Sequence, residues 1–205
     1  MKAQNELSDS ELLQLMAAGD EEAFASLYRG QQATIYRFAL QMCGSRELAE
    51  DVTQEAFMVL IRDSQRFDPA RGSLNSFLLG VARNHLLRRL RRERNYVAIE
   101  PSSDNDSVQN QPLTTDGQLD AVSRKDTIES LRKAILSLPE RYREVVVLCD
   151  LQEMSYVETA EILGCAVGTV RSRLHRARGL LIDKLRPARE EDETSAAVKS
   201  ARCFA

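Results

Sequence analysis

Apolar residues recur at helical spacing along most of this chain, and no stretch alternates in the way that a surface strand does. One stripe predicts a long amphipathic helix between an Asp20 cap and Gly44: Phe24, Leu27, Ile35, Phe38 and Met42. After a Ser45 cap, a second helix is predicted with its inward positions at Leu48, Val52, Ala56, Val59 and Leu60. A third begins at Leu74, after a loop from Phe67 to Ser73, with Phe77, Leu78, Val81, Ala82, Leu86 and Leu90 inward. We therefore expect a helical bundle at the amino-terminal end.

A polar segment divides the chain. Residues 97–121 are rich in Ser, Asp, Asn, Gln, Pro and Thr, and they cannot bury enough apolar surface to offset their ordering entropy. Beyond this segment, four further helices are predicted over 125–137, 139–151, 155–163 and 168–186, with Pro139 in the first turn of its helix. The sequence thus predicts an all-α fold of two helical domains, residues 1–96 and 125–187, with a flexible acidic linker at 97–124 and a disordered tail at 188–205.

The net charge of −3 conceals a segregation of charge along the chain. Residues 67–95 carry a net charge of +5, residues 96–123 carry −5, and residues 124–187 carry +3. Each domain therefore has a basic block, and a purely acidic stretch separates the two. This distribution indicates two surfaces that face a polyanion.

Several classes of protein are excluded by what the sequence lacks. Its apolar runs fall far short of the roughly 18 to 20 residues that a membrane helix needs, and we expect no secretory signal at the start. The cysteines form no close pair, so we interpret Cys43, Cys149 and Cys165 as reduced thiols in or near the core, which indicates a cytoplasmic location. Nucleotide-binding glycine motifs, metal-ligand spacing and an activated nucleophile are missing. We expect no enzyme activity, no metal and no cofactor.

A helix-turn-helix is predicted in the second domain. Ser155 and Glu158 form a capping-box pattern, and Ala160, Gly164 and Val170 occupy the positions of the helix crossing, the left-handed turn and the apolar anchor. The second helix projects polar and basic side chains toward the major groove of DNA, namely Thr169, Arg171, Ser172, Arg173, His175 and Arg176. An ordinary helical hairpin with a solvated basic face is the alternative.

Two more surfaces lie in the first domain. Asn84, Arg88, Arg91 and Asn95 share one face of the third helix, close to Phe77 and the loop at 67–73, which suits phosphate binding and capture of an unstacked base. Phe77 could equally be a core residue. The acidic side chains Asp51 and Glu55, with Gln54, lie on one side of the second helix. That face is either solvated or a protein-docking surface.

The residues resemble the extracytoplasmic-function (group 4) sigma factors of bacterial RNA polymerase. The resemblance rests on AEDVTQEAF at 49–57, FLLGVARN at 77–84, LPERYREVV at 138–146 and VGTVRSRLHRAR at 167–178. It implies that the first domain is sigma region two, which reads and melts the minus-ten promoter element. It also implies that the second domain is region four, which reads the minus-thirty-five element and touches the polymerase flap.

The resemblance also assigns residues. Asp51, Gln54 and Glu55 match the family's contact with the clamp of the largest core subunit. The minus-ten DNA is implied to contact Phe67, Asp68, Arg71, Ser73, Phe77, Asn84, Arg88 and Arg91, although many family members carry Trp at the position of Phe77. The minus-thirty-five DNA is implied to contact the six polar residues of the recognition helix, Thr169 to Arg176. The implied partners are core polymerase, promoter DNA and an anti-sigma factor that clamps both domains.

We therefore expect a cytoplasmic initiation factor that binds core polymerase and directs it to specific promoters, and that breaks no covalent bond. Two alternatives stay open at this point. A stand-alone helix-turn-helix regulator would explain the second domain and leave the first without a role. A polymerase-binding adaptor or inhibitor would explain the acidic face and leave the recognition helix without one.

Overall fold

The computed structural model describes residues 7–97 and 119–186, and for 93–97 and 119–126 it describes the backbone alone. Within these ranges the secondary structure is helical throughout, as predicted. The helices are α1 (Asp9–Ala17), α2 (Glu21–Cys43), α3 (Arg46–Arg62), α4 (Leu74–Val97), α5 (Leu119–Leu136), α6 (Glu140–Val146), α7 (Tyr156–Leu163) and α8 (Val167–Leu185). Most of the predicted linker, from 98 to 118, lies outside the described residues, as do the predicted tail and Cys203.

The amino-terminal domain is built by α1 to α4. Helix α2 packs against α1, α3 and α4, and α3 packs against α4. The fully buried side chains come from the predicted stripes and include Ile35, Phe38, Met42, Val52, Leu60, Leu74, Leu78 and Leu86. Asp20 caps α2 through the Glu22 and Ala23 amides, and Ser45 caps α3 through the Leu48 amide, so both predicted helix starts are confirmed.

The carboxy-terminal domain is built by α5 to α8, with α8 packed against α5, α6 and α7. Helices α7 and α8 form the predicted helix-turn-helix. The capping box of Ser155 and Glu158 is present, and Gly164 adopts the left-handed conformation at φ +63°. Ala160 and Val170 are buried where the two helices cross.

Three helical elements differ from the sequence prediction. Helix α1 was not predicted, although Ser8 and Glu11 form a capping box at its start. Helix α5 begins at Leu119 rather than at 125. The helix expected over 139–151 is two elements, because α6 gives way to a π-helical turn at Val147–Leu151 in which the Gln152 amide donates to the Val147 carbonyl at 2.9 Å.

Cys43, Cys149 and Cys165 are half-buried and pack against the core, as predicted. Burial raises the pKa of the Cys149 thiol, and a contact of its Sγ with the Thr159 hydroxyl at 3.4 Å partly offsets that shift. None of the helices described is long and apolar enough to cross a membrane. Over the same described residues, no group of His, Cys, Asp and Glu could hold a metal ion.

Candidate nucleic-acid and polymerase interface

A cavity of about 550 Å³ lies where the loop between α3 and α4 meets the outer face of α4. Its walls include seven of the eight side chains predicted to contact minus-ten DNA: Phe67, Asp68, Arg71, Ser73, Phe77, Asn84 and Arg88. Arg91 is exposed on α4 and does not line the cavity. The cavity volume falls within the range of about 300 to 1,000 Å³ that small-ligand pockets occupy.

Local hydrogen bonds shape the loop that forms one wall. The loop contains two short 3₁₀ turns, Ser64–Arg66 and Pro69–Arg71. Asp68 caps the second turn, because its Oδ1 accepts from the Ala70 amide at 3.0 Å. Ser73 caps α4, since its Oγ accepts from the Ser76 amide at 3.2 Å. Two of the predicted contact residues therefore also hold the loop in shape.

Phe67 and Phe77 form an aromatic pair at the cavity. Their ring centroids lie 5.8 Å apart in an edge-to-face arrangement. Both side chains are half-buried and pack against the core, so the two alternatives for Phe77 are compatible. One side of the ring supports the core, while another part of it lines the cavity.

The cavity also contains residues that the sequence analysis missed. Arg66 lies just before the predicted loop, and His85 follows Asn84 on α4. Both could have been found from their positions beside residues that were chosen. Glu161 and Ile162 of α7 also form part of the wall, and no local signal could have placed a residue of the second domain there.

The three residues predicted on the acidic face of α3 differ in their exposure. Asp51 and Gln54 are exposed, whereas Glu55 is half-buried and lines the cavity. Arg89 of α4 donates from Nη2 to Asp51 Oδ2 at 2.8 Å. Since both side chains of that pair are about half exposed, water screens the attraction, and the pair leaves Asp51 available to a partner.

The recognition helix α8 turns an apolar side inward, with Val170, Leu174, Ala177 and Leu181 buried as predicted. The predicted DNA contacts Arg171, Ser172, His175 and Arg176 are exposed, and Thr169 and Arg173 are half-buried. All six residues lie within the first three turns of α8. They form one polar surface at its amino-terminal half.

Aromatic side chains of neighbouring helices hold two of these arginines. The Arg171 guanidinium lies over the Tyr156 ring of α7, 5.7 Å from the centroid. Arg176 hydrogen-bonds the Tyr142 hydroxyl of α6 and thereby lowers its pKa, with the nearby charge of Arg141 acting in the same direction. Neither tyrosine was singled out from the sequence, because these contacts depend on how α6 and α7 pack against α8.

Arg178 is turned away from this surface by an ion pair with Asp150. Its Nη2 and Nε donate to the two Asp150 carboxylate oxygens at 2.5 and 3.1 Å, and these bonds raise the pKa of Arg178 above its usual range. Arg178 therefore fastens α8 to the π-helical turn and, unlike the other arginines of the motif at 167–178, does not belong to the polar surface. Arg171, Arg173 and Arg176 remain at the polar surface.

Segments of both domains match known protein families. Residues 27–96 match the Sigma-70 region 2 family, and residues 128–181 match the Sigma-70 region 4 family. The ECF RNA polymerase sigma factor SigW of Bacillus subtilis is 34% identical over 172 residues, which cover 82% of this chain and 91% of that protein. The ECF RNA polymerase sigma-E factor of Escherichia coli K12 is 33% identical over 192 residues, covering 89% and 96% of the two chains.

Solved structures show the same fold. The sigma factor RpoE of Bartonella quintana, in complex with the anti-sigma factor NepR, superposes with a TM-score of 0.67 at 26% identity over 80% of this chain and 98% of that one. CnrH, in complex with the cytosolic domain of CnrY, superposes with a TM-score of 0.63 at 24% identity over 86% and 96% of the two chains.

Proposed function

Because this chain belongs to the extracytoplasmic-function sigma factors of bacterial RNA polymerase, we propose that three of its surfaces carry out promoter recognition. As a sigma factor it directs transcription initiation. In the proposal, the exposed part of the α3 face binds core polymerase, the cavity beside α4 holds the minus-ten element, and α8 reads the minus-thirty-five element. The chain works in the cytoplasm by binding, without breaking a covalent bond.

The observation that carries the proposal is the convergence of seven predicted minus-ten residues on one cavity. The aromatic rings of Phe67 and Phe77 line this cavity together with the guanidinium-bearing side chains of Arg71 and Arg88. This combination suits single-stranded DNA, because the aromatic rings can stack on a base while the guanidinium groups contact the flanking phosphates.

The energies of melting and capture are of similar size. Each base-pair step in duplex DNA contributes about 1.4 kcal/mol of stacking. Stacking of a base on aromatic side chains returns about 1 to 3 kcal/mol. Because an extruded base leaves the two steps that flank it, its capture in the cavity can offset about a third to all of the stacking that is lost. We infer that the chain stabilises an opening in the duplex without any chemical step.

An anti-sigma partner is also proposed. The RpoE structure that this chain resembles contains an anti-sigma factor. The two domains of this chain carry separate functional surfaces, so a partner that covers both would block polymerase and promoter binding together.

Reconstituted transcription tests the proposal. Purified chain added to sigma-free core polymerase and a genomic fragment library should yield specific run-off transcripts that core alone does not make. A stand-alone regulator would instead bind duplex DNA tightly without core, and no added transcript would appear. Absence of transcripts, together with failure of the chain to co-migrate with core, would refute the proposal.

The Asp51→Lys substitution tests the assignment of the α3 face. It reverses an exposed charge in the proposed contact, so core affinity should fall at least tenfold while the helix content is kept. Glu21→Lys is the matched control, since Glu21 is an exposed carboxylate on the first turn of α2 and its replacement changes the net charge equally. Equal loss of core affinity in both variants would show that overall charge, rather than this face, sets binding.

A further inference from the structure

Helix α6 contributes an aromatic side chain that contacts arginines of two helices. The Tyr142 hydroxyl accepts a hydrogen bond from the Arg176 guanidinium of α8. The guanidinium carbon of Arg141, on α6 itself, lies 4.8 Å from the centroid of the Tyr142 ring, which is within cation–π distance. One phenol side chain therefore links a cation of α6 to a cation of the recognition helix.

The packing of α6 against α8 places this cluster. Val145 and Val146 are buried, and Tyr142 lies one turn before Val146. Its side chain thereby follows the buried side of α6 toward α8, and it is itself half-buried. Arg141 and Arg176 are both exposed, so the cluster lies at the surface, at the edge of the polar surface of α8.

The group that holds Arg176 differs in charge from the group that holds Arg178. Arg178 donates two hydrogen bonds to the Asp150 carboxylate, which cancels its positive charge. The phenol of Tyr142 is an uncharged acceptor, so it restrains the Arg176 guanidinium and leaves its charge available to an anionic partner. An arginine restrained in this way keeps its remaining N–H groups for a phosphate or a base edge.

A restrained arginine loses less conformational freedom on binding. Ordering one long, rotamer-rich side chain at an interface weakens binding by about two- to tenfold. Because the Tyr142 hydroxyl already limits the rotamers of Arg176 in the free chain, much of that ordering precedes contact with DNA.

Arg141 adds a second cation beside Arg176. It is exposed, and its position over the Tyr142 ring directs it along the same surface. Phosphates of the duplex flank the base edges that a recognition helix contacts, so cations at the border of such a helix suit the backbone rather than the bases. Helix α6 carried no predicted DNA contact, because nothing in its local sequence pattern relates it to α8.

We propose that the DNA surface of the second domain extends onto α6, where Tyr142 is a positioning residue for Arg176 and Arg141 contacts a phosphate. The inference rests on the proposed function of α8. In this arrangement Tyr142 raises the affinity for promoter DNA through Arg176 alone. Arg141 raises it without sequence preference, because phosphates carry no sequence information.

The Tyr142→Phe substitution tests the positioning role, because it removes the hydroxyl and retains the ring beside Arg141. Affinity of the holoenzyme for promoter DNA, measured by fluorescence anisotropy, should fall about two- to tenfold. The slope of log affinity against log salt should not change, since no cation is lost. In an Arg176→Ala background the same substitution should have no effect, because a positioning residue acts only through its partner.

Tyr36→Phe is the matched control, since it removes the hydroxyl of a half-buried tyrosine on α2 and should leave the affinity unchanged. Circular dichroism and core affinity of each variant should match those of the wild type. The positioning role is overturned if Tyr142→Phe leaves promoter affinity unchanged. It is also overturned if the loss persists in the Arg176→Ala background, as a general loss of stability would.

The Arg141→Gln substitution tests the phosphate contact. The salt slope of the holoenzyme should become shallower by about 1, with equal loss of affinity on promoter and scrambled duplexes. Arg132→Gln is the control, because it removes an exposed arginine of α5 that pairs with Glu129, and it should leave the slope unchanged. A reduced affinity for core polymerase with an unchanged slope would place Arg141 against protein and overturn the phosphate contact.

Variants of α8 separate a failure of this inference from a failure of the proposed function. If Arg171→Ala and Arg176→Ala both leave promoter binding unchanged, the assignment of α8 fails and the inference fails with it. If both weaken binding while Tyr142→Phe and Arg141→Gln have no effect, α8 remains the recognition element and the extension onto α6 alone is rejected.

Discussion

Gly164 holds the turn between α7 and α8 in a left-handed conformation, at φ +63°. A Cβ placed there would meet no atom within 4 Å, so the requirement for glycine comes from the backbone alone. Residues with a Cβ adopt this conformation at a cost of about 1 to 2 kcal/mol. The turn of the helix-turn-helix thus favours glycine at this position.

The Gly164→Ala substitution should lower the free energy of unfolding by about 1 to 2 kcal/mol, as measured by urea unfolding. Gly179→Ala is its control. Gly179 lies inside α8 with open space around it, so alanine there should raise the free energy of unfolding by about 1 kcal/mol through helix propensity. Effects of the same sign from both substitutions would contradict this explanation of the turn.

Contacts between residues close in sequence were predictable. Asp20, Ser45 and Ser155 cap helices by accepting from amides two or three residues ahead, and a local pattern is sufficient to identify them. The pairing of Arg83 with Glu144 spans 61 positions and two domains. Neither Arg83 nor Glu144 lies in a local sequence pattern that distinguishes it from other charged residues. Only the packed structure could therefore reveal the pair.

Among the elements, α8 combines two tasks on opposite sides. Its buried stripe fixes it to α6 and α7, and its polar surface is the one proposed to read DNA. Long, strongly periodic helices such as α2 and α8 were predictable because each turn repeats the same signal. The nine-residue α1 buries only Leu13, so its periodicity is weak, and the capping-box pattern of Ser8 and Glu11 was the one local signal that could have identified it. The sequence pattern did not distinguish the π-helical turn after α6 from an α-helix.

The Arg173→Ala substitution tests α8 as the recognition element. In the holoenzyme, affinity for promoter DNA should fall by about 1 to 3 kcal/mol if the guanidinium reads a base, with a smaller loss on scrambled sequence. Lys184→Ala removes an exposed cation 11 residues further along α8, about 16 Å away, and should have little effect. Binding can be measured by fluorescence anisotropy with both DNAs. Equal loss on the two would indicate phosphate contact instead.

For the whole molecule, the distribution of charge matters more than its sum. The chain is acidic overall, at a net charge of −3, yet the segments proposed to face DNA are basic. The exposed arginines of α4, among them Arg88, Arg91 and Arg92, are close enough to act on one duplex together. The contact between the two domains adds a second property that no single segment contains, because it pairs Arg83 of one domain with Glu144 of the other.

Salt dependence of holoenzyme binding to promoter DNA measures how many of these cations contact phosphate. Arg91 is exposed on α4 and does not line the cavity, so we expect a phosphate contact rather than a base contact. Arg91→Ala should lower the slope of log affinity against log salt by about 1 and weaken binding equally on specific and scrambled DNA. Arg29→Ala removes the same charge from α2, where Arg29 pairs with Glu22, and should leave the slope unchanged.

If both variants change the slope alike, the net charge of the protein governs binding. A change confined to Arg91 instead locates the electrostatic contribution on α4, where it acts despite the negative charge of the chain as a whole.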